Sequence, residues 1–340
     1  MKTVAVEKPV SIRSGSGLFQ QFLAFGSLII LILVFSLSSG NFFQFSNIMG
    51  ILLSTAVIGV LALGSTFVII TGGIDLSVGT VMTLSAVMTG VIITQWGVPA
   101  FIDVFGVFVP FGILGGILTG ALCGLISGLA VAKMKIPPFI ATLSMMMVAK
   151  GLALVISGTK PIYFTNSPGF SNISLGSFIG QIIPGFKIPN AVLIFFVLAI
   201  IGSVILSKTI IGRNNFAIGS NEEAARLSGV NVNYWKIVIY TITGAFTGIA
   251  GLLMASRLNS AQPALGMGYE LEAIAAVVIG GTSLSGGKGT IVGTVIGALI
   301  MSVLTNGLRI LSVPQEWQTV VVGFVIMLAV YADILRRKKA

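Results

Sequence analysis

Apolar residues in this chain fall into long, nearly unbroken runs, separated by short stretches where Gly, Pro, Asn, Ser and the few charges collect. A helix needs about 20 apolar residues to cross the hydrocarbon layer of a bilayer. Runs of that kind occupy residues 18–38, 48–70, 76–95, 105–131, 138–157, 190–207, 236–256, 271–285, 289–308 and 317–334. The pattern predicts an all-α integral membrane protein with about ten transmembrane helices. The eighth run is short and Gly-rich, so a broken helix is expected there, and the third is expected to be broken at its start. The first run is too long for a signal-peptide core and no A-x-A-like site follows it, so it reads as a retained span.

Composition agrees with the pattern: 55% of the residues are hydrophobic and 8% are charged, against about 25% charged in a soluble globular protein. So few charges do not coat a water-facing surface. The 43 glycines suit membrane helices, whose backbones approach closely where side chains are small.

Charge placement orients the chain. With the N-terminus inside and ten spans threaded, fourteen Lys and Arg lie inside, among them Lys2, Lys8, Arg13, Lys133, Lys135, Arg226 and the terminal Arg336 to Lys339. Four lie outside: Lys160, Lys187, Arg257 and Arg309. That bias obeys the positive-inside rule and requires an even number of spans, with both termini cytoplasmic. It also gives the net charge of +10 a topological role, so no nucleic-acid partner is expected. Residues 1–17 and 336–340 read as cytoplasmic tails around a single membrane domain, 18–335. Lys150 falls within a span, close enough to its outer end to snorkel.

Two connections are long. Residues 158–189, outside, carry Tyr163, Phe164 and Phe170; they read either as an ordinary loop with interfacial aromatics or as a docking surface. Residues 208–236, inside, contain Ser220-Asn221-Glu222-Glu223-Ala224-Ala225-Arg226-Leu227-Ser228-Gly229. Ser220 and Glu223 have the spacing of a capping box, two acids sit in the first turn, and Gly229 is placed to stop the helix. The expectation is a two-turn helix isolated between polar loops. So short a helix is marginal in water and must be held by packing, on this chain or on a partner. Ala224 and Ala225 give it a small, flat face suited to a groove. A plain surface linker is the other reading.

Two blocks resemble each other: Gly72-Gly73-Ile74-Asp75-Leu76-Ser77-Val78-Gly79 and Gly280-Gly281-Thr282-Ser283-Leu284-Ser285-Gly286-Gly287. Paired glycine interruptions in two halves of a membrane chain point to an internal repeat and a transport pathway, or else to chance in a Gly-rich sequence.

Catalysis finds little support. There is no histidine and one cysteine, Cys123, which excludes a His-ligated metal, a Ser–His triad and an intrachain disulfide. The nine acids form no evident metal or acid–base cluster, and no G-x-x-x-x-G-K-[ST] phosphate loop occurs. Any ATP that drives this protein must be bound by another chain.

Three motifs now carry a resemblance, in the same order along residues 20–335. The 212–230 segment resembles the EAA-type coupling loop of ABC-importer permeases. Gly72–Gly79 resembles the G-G-I-D-L-S-V-G signature of their monosaccharide branch. The stretch from Glu270 to Thr290 is similar to that branch's second signature. The resemblance implies an import permease for ribose or a related sugar in the bacterial inner membrane. It implies that Glu222, Glu223, Ala224, Ala225, Arg226 and Gly229 dock on an ATP-binding subunit, which holds the ATP and Mg; no cofactor is expected on this chain. It also implies a periplasmic sugar-binding protein outside and a second permease copy, identical or paralogous, with the pathway between the two.

A sugar path needs neutral polar groups, and the candidates at helix interruptions are Thr71, Asp75, Ser77, Thr282, Ser283 and Asn306. Asp75, a carboxylate beside a span, is a functional candidate by default. Its place near the inner face favours a structural or gating role over sugar binding. Rival readings are an ion-driven secondary transporter, which would want carboxylates in its spans, a branched-chain amino-acid permease, which would want charges in its pathway, and a membrane enzyme.

Overall fold

The computed structural model describes residues 15–94, 108–183 and 185–338. The basic residues Lys2, Lys8, Arg13 and Lys339 lie outside them. Among the described residues the helices are α1 (Gly15–Ser38), α2 (Phe45–Ile70), α3 (Val78–Thr94), α4 (Phe108–Ala132), α5 (Pro138–Ile156), α6 (Phe178–Ile182), α7 (Asn190–Lys208), α8 (Ile210–Ser220), α9 (Glu222–Leu227), α10 (Val232–Leu258), α11 (Tyr269–Ile279), α12 (Ile291–Ile310) and α13 (Gln315–Lys338). Eight of them are long and apolar enough to cross a membrane. Each of the ten expected runs contains a helix, and the two expected breaks are present. α3 has 17 residues and begins after an extended segment; α11 has 11 and is a half-helix.

α2 is the axis of the fold. Every residue from Thr55 to Ile70 is buried, so this helix is apolar all round and enclosed by α7, α10, α11 and α12. Lipid supplies no hydrophobic drive between helices, so close packing of backbones has to hold them together. α4 meets α10 this way. Gly120, Gly124 and Gly128 recur every fourth residue and lie against Gly244, Gly248 and the backbone of Tyr240 and Ile237, with no room for a Cβ at Gly120 or Gly124. α11 and α12 close on each other through Gly280, Gly293 and Gly297 in the same manner. The perimeter is apolar: Trp317, Phe324, Leu328 and Tyr331 of α13 are exposed.

In the segment 158–189 two of the three aromatics singled out are not interfacial. Phe164 and Phe170 are buried and stack at 3.9 Å between ring centroids; Tyr163 alone of the three is exposed. Ile162–Tyr163 pairs antiparallel with Ser260–Ala261, giving two-residue strands. Ser256 of α10 accepts from the Ser174 backbone N–H at 2.9 Å and donates to the Phe170 carbonyl at 2.8 Å, tying the segment down.

The two glycine interruptions adopt the same turn. After α2 the Gly72 and Gly73 N–H groups bond back to Ile69 and Val68, and after α11 those of Gly281 and Thr282 bond back to Val278 and Val277. Gly72 (φ 79°) and Gly281 (φ 93°) hold the left-handed position that ends each helix. The structural match is therefore Gly72 with Gly281, one residue away from the register in which the letters align. The letters align on Gly-Gly and Leu-Ser, whereas the turn is fixed by which residue takes positive φ.

Candidate functional site

At one end of α10 the chain builds a platform around α9. The helix is six residues long and capped by Asn221, whose Oδ1 accepts from the Ala224 N–H at 2.9 Å. The expected Ser220 cap is displaced by one residue, because Ser220 is the last residue of α8. α8, like the short α6, is an element absent from the sequence reading; α9 is thus not isolated between polar loops. At its other end the Gly229 (φ 86°) and Val230 N–H groups donate to the Arg226 and Ala225 carbonyls, the pair of hydrogen bonds of a left-handed helix stop. Ala225 is buried with Ile218 and Val232, which anchors α9 to its own chain. Glu223, Ala224, Arg226 and Leu227 (82% exposed) are left outward.

Charge fixes the platform. Glu222 accepts from Lys236 at 2.7 Å and from Arg226 at 3.2 Å, and Arg226 also lies 3.9 Å from Glu223. Partial burial of Glu222 opposes its charge, but the Lys236 hydrogen bond with the Lys236, Arg226 and Lys135 charges outweighs it and holds the carboxyl below the usual range.

Behind the platform, three backbones converge. Gly219, near the end of α8, lies against the Ile70 carbonyl at the end of α2 and the Gly287 N–H of the loop after α11. Gly287 donates to Ile70 at 2.9 Å. Thr71, Thr282 and Ser283 lie in the two turns that meet here, and Asp75 and Ser77 lie in the segment that leads from the first turn into α3. Thr71 caps α2 and donates to Val68 at 2.6 Å. Asp75, buried, accepts from the Ser77 N–H at 2.8 Å and hydroxyl at 2.6 Å, setting the turn into α3. Thr282 and Ser283 are buried, and the Ser283 N–H donates to Lys288. Asn306 is elsewhere, near the far end of α12.

The far end of α10 is built differently. A cavity of about 720 Å³ opens among α2, α10, α11, α12, α13 and the 264–268 loop. Its wall includes Ser54, Arg257, Tyr269, Glu272, Thr305, Arg309, Gln315 and Gln318. None of the six expected pathway residues lines it. Arg257 and Arg309 each sit in the last turn of a helix, where the dipole favours a cation. Glu270 is spent on structure, accepting from the Gly268 N–H at 3.0 Å, while Glu272, two residues on, faces the cavity. Arg257 and Arg309 were legible in the sequence as outer basic residues, and Glu272 as part of the second signature. Their convergence was not legible, because it depends on where the half-helix α11 starts.

The chain was compared with known proteins. The family model described as branched-chain amino acid transport system / permease component matches residues 47–330. The chain is 42% identical to the ribose import permease protein RbsC of Bacillus subtilis (strain 168) over 326 residues, 95% of either chain. It is 41% identical to RbsC of Escherichia coli (strain K12) over 310 residues, 90% of this chain and 91% of that one. It is 38% identical to the fructose import permease protein FrcC of Rhizobium meliloti over 306 residues, 88% of this chain and 81% of that one. No solved structure matches. With a family match over most of its length and relatives of this closeness across nearly all of it, the chain belongs to the permease components of the branched-chain amino acid transport system family.

Proposed function

We propose that this chain is the membrane subunit of an ATP-driven importer for a monosaccharide, ribose or a related sugar, in the bacterial inner membrane. The observation that carries the mechanism is α9: a short capped helix, held by its own chain on one side and bare on the other, at the end opposite the cavity. In this reading a separate ATP-binding subunit, with its ATP and Mg, receives the face formed by Glu223, Ala224, Arg226 and Leu227. Closure of that subunit moves α9 and, through Gly219, the ends of α2 and α11. A periplasmic binding protein delivers sugar at the cavity end, and a second permease copy completes the pathway. The chain itself hydrolyses no ATP. Thr71, Asp75 and Ser77 act as the gate's framework rather than as sugar ligands, since their side-chain hydrogen bonds are spent on shaping the turns, and Thr282 and Ser283 belong to the matching turn after α11.

A second reading, a branched-chain amino-acid permease, is favoured by the charged groups in the cavity and by the family's description. The ribose and fructose relatives, similar over most of both chains, favour the sugar. One experiment addresses both. Reconstituted with the ATP-binding subunit and a ribose-loaded binding protein, the chain is expected to take up ribose, to be indifferent to leucine, and to show no ATPase activity alone. Glu223→Lys, at the exposed face of α9, is expected to reduce co-purification of the ATP-binding subunit several-fold while leaving the membrane domain folded. ATP hydrolysis by the isolated chain would falsify the division of labour, and leucine uptake in place of ribose would replace the substrate.

A further inference from the structure

The cavity at the far end of α10 has a volume within the range of about 300–1,000 Å³ that small-molecule sites occupy. Thr305, Gln318 and Thr319 on its wall bond to backbone carbonyls, but its charged side chains are not consumed by the fold. Arg257 makes only two long contacts, 3.4 Å each, to the Ser54 hydroxyl. Arg309 lies within electrostatic reach of Arg257 and of Glu272, yet among the described residues none of the three forms an ion pair within 4.0 Å. Charged groups beside a membrane interior are costly and are ordinarily paired. Here several hydrogen-bond donors and a carboxylate are left open to one space.

Position sharpens this. Of the four basic residues that the charge pattern assigns to the outer side, Lys160, Lys187, Arg257 and Arg309, the two arginines line this one cavity. The positive-inside bias gives no reason for arginines on that side, so their placement needs a local cause. The dipole at the last turns of α10 and α12 is one, and a ligand that accepts from the open guanidinium donors is another.

We propose that this cavity is a monosaccharide vestibule in which Arg257, Arg309 and Glu272 hydrogen-bond the sugar's hydroxyls beside the ring of Tyr269. The inference rests on the functional reading above and adds to it the place and the contacts. A sugar suits the set because each hydroxyl is both donor and acceptor: guanidinium groups donate to one, a carboxylate accepts from its neighbour, and an aromatic ring covers the apolar C–H face.

The test uses the complete transporter, with its ATP-binding subunit and binding protein, in proteoliposomes. Thr305→Cys places a thiol on the cavity wall, while Cys123, the chain's single cysteine, is buried. A membrane-impermeant maleimide applied from the cavity side is expected to label it and to cut ribose uptake at least about tenfold relative to the same variant before labelling. Since the label enters a folded complex, misfolding does not account for the loss. Stoichiometric labelling that leaves ribose uptake within about twofold overturns the proposal. Arg257→Gln and Glu272→Gln are expected to lower uptake at saturating loaded binding protein by about tenfold, the scale of one lost hydrogen bond to a charged group. Glu272→Asp is expected to recover part of that activity, and full uptake by Glu272→Gln would count against the site. Absence of ribose uptake by the unmodified complex refutes the functional reading itself, before any cavity variant is compared.

Discussion

Near the start of α10, Lys236 donates to Glu222 at 2.7 Å and Arg226 approaches the same carboxylate at 3.2 Å; near the end of that helix, Arg257 reaches only a serine hydroxyl at 3.4 Å. The first end spends its charges on itself. It also excludes space: Gly219, Ile70 and Gly287 are in backbone contact. The second end keeps its charges open and encloses a large cavity. The difference separates two jobs. A group that must transmit a displacement gains from being over-determined, because a loose joint absorbs motion. A group that must receive a solute gains from being unsatisfied, because bonds already made inside the protein are not available to a ligand. One helix, 27 residues or about 40 Å long, carries both kinds of end.

The comparison breaks most sharply at Gly219. It has ordinary helical geometry near the end of α8, and in an exposed helix Gly→Ala stabilises by up to about 1 kcal/mol. Here an added Cβ would meet the Ile70 carbonyl and the Gly287 N–H. Overpacking of that kind costs about 1–3 kcal/mol and would break the Gly287–Ile70 hydrogen bond. Gly219→Ala is expected to lower thermal stability in detergent and to reduce uptake more than about tenfold. Gly151→Ala is the control, since nothing lies within 4 Å of its Cβ position in α5; a neutral or stabilising effect is expected. Equal behaviour of the two variants would mean that the junction is slack and transmits nothing.

A smaller effect is expected at Gly229, where the obstacle is conformation and not space. No atom lies within 4 Å of an added Cβ, but φ is +86°, a region that costs an L-residue about 1–2 kcal/mol. Gly229→Ala is expected to lose about that much stability, read as a modest fall in melting temperature, and to fray the end of α9. Gly229→Asn, which tolerates the left-handed region better, is expected to lie between. An alanine variant as stable as the parent would show that α9 is not anchored at its C-terminal end.

The same distinction explains what was legible in the sequence. Long apolar runs gave the helices because bilayer thickness sets a length that can be counted. The stop at Gly229 and the glycine breaks after α2 and α11 were legible because positive φ selects glycine. α8 was not, because its mean composition, Ile-Ile-Gly-Arg-Asn-Asn-Phe-Ala-Ile-Gly-Ser, is that of a loop, and packing beside α2, α7 and α10 makes it a helix. Missing α8 shifted the cap from Asn221 to Ser220. The pathway candidates were chosen as polar groups at interruptions, and Thr71, Asp75 and Ser77 spend their side-chain bonds on shaping the first of these turns. Arg257, Glu272 and Arg309 come from three helices, and only the fold brings them to one wall.

The finest expected effect concerns the paired end itself. Glu222 is partly exposed, with 43% of its side chain accessible, so its ion pairs are screened and Glu222→Gln is expected to cost less than about 1 kcal/mol. Its pH dependence is more telling than its size. The carboxyl is held below the ordinary range, so its contribution is complete above the unfolded-state value and is lost as pH falls through the folded-state value. The stability difference between the parent and Glu222→Gln is therefore expected to be flat from neutral pH down to about pH 5 and to shrink below about pH 4. Melting curves of the two proteins across that interval measure it. A difference that instead grows on acidification would mean that the burial of Glu222 outweighs the Lys236 and Arg226 charges that face it. The platform would then be fixed by the Ala225, Ile218 and Val232 packing alone, and the contrast between a paired and an unpaired end of α10 would lose its electrostatic half.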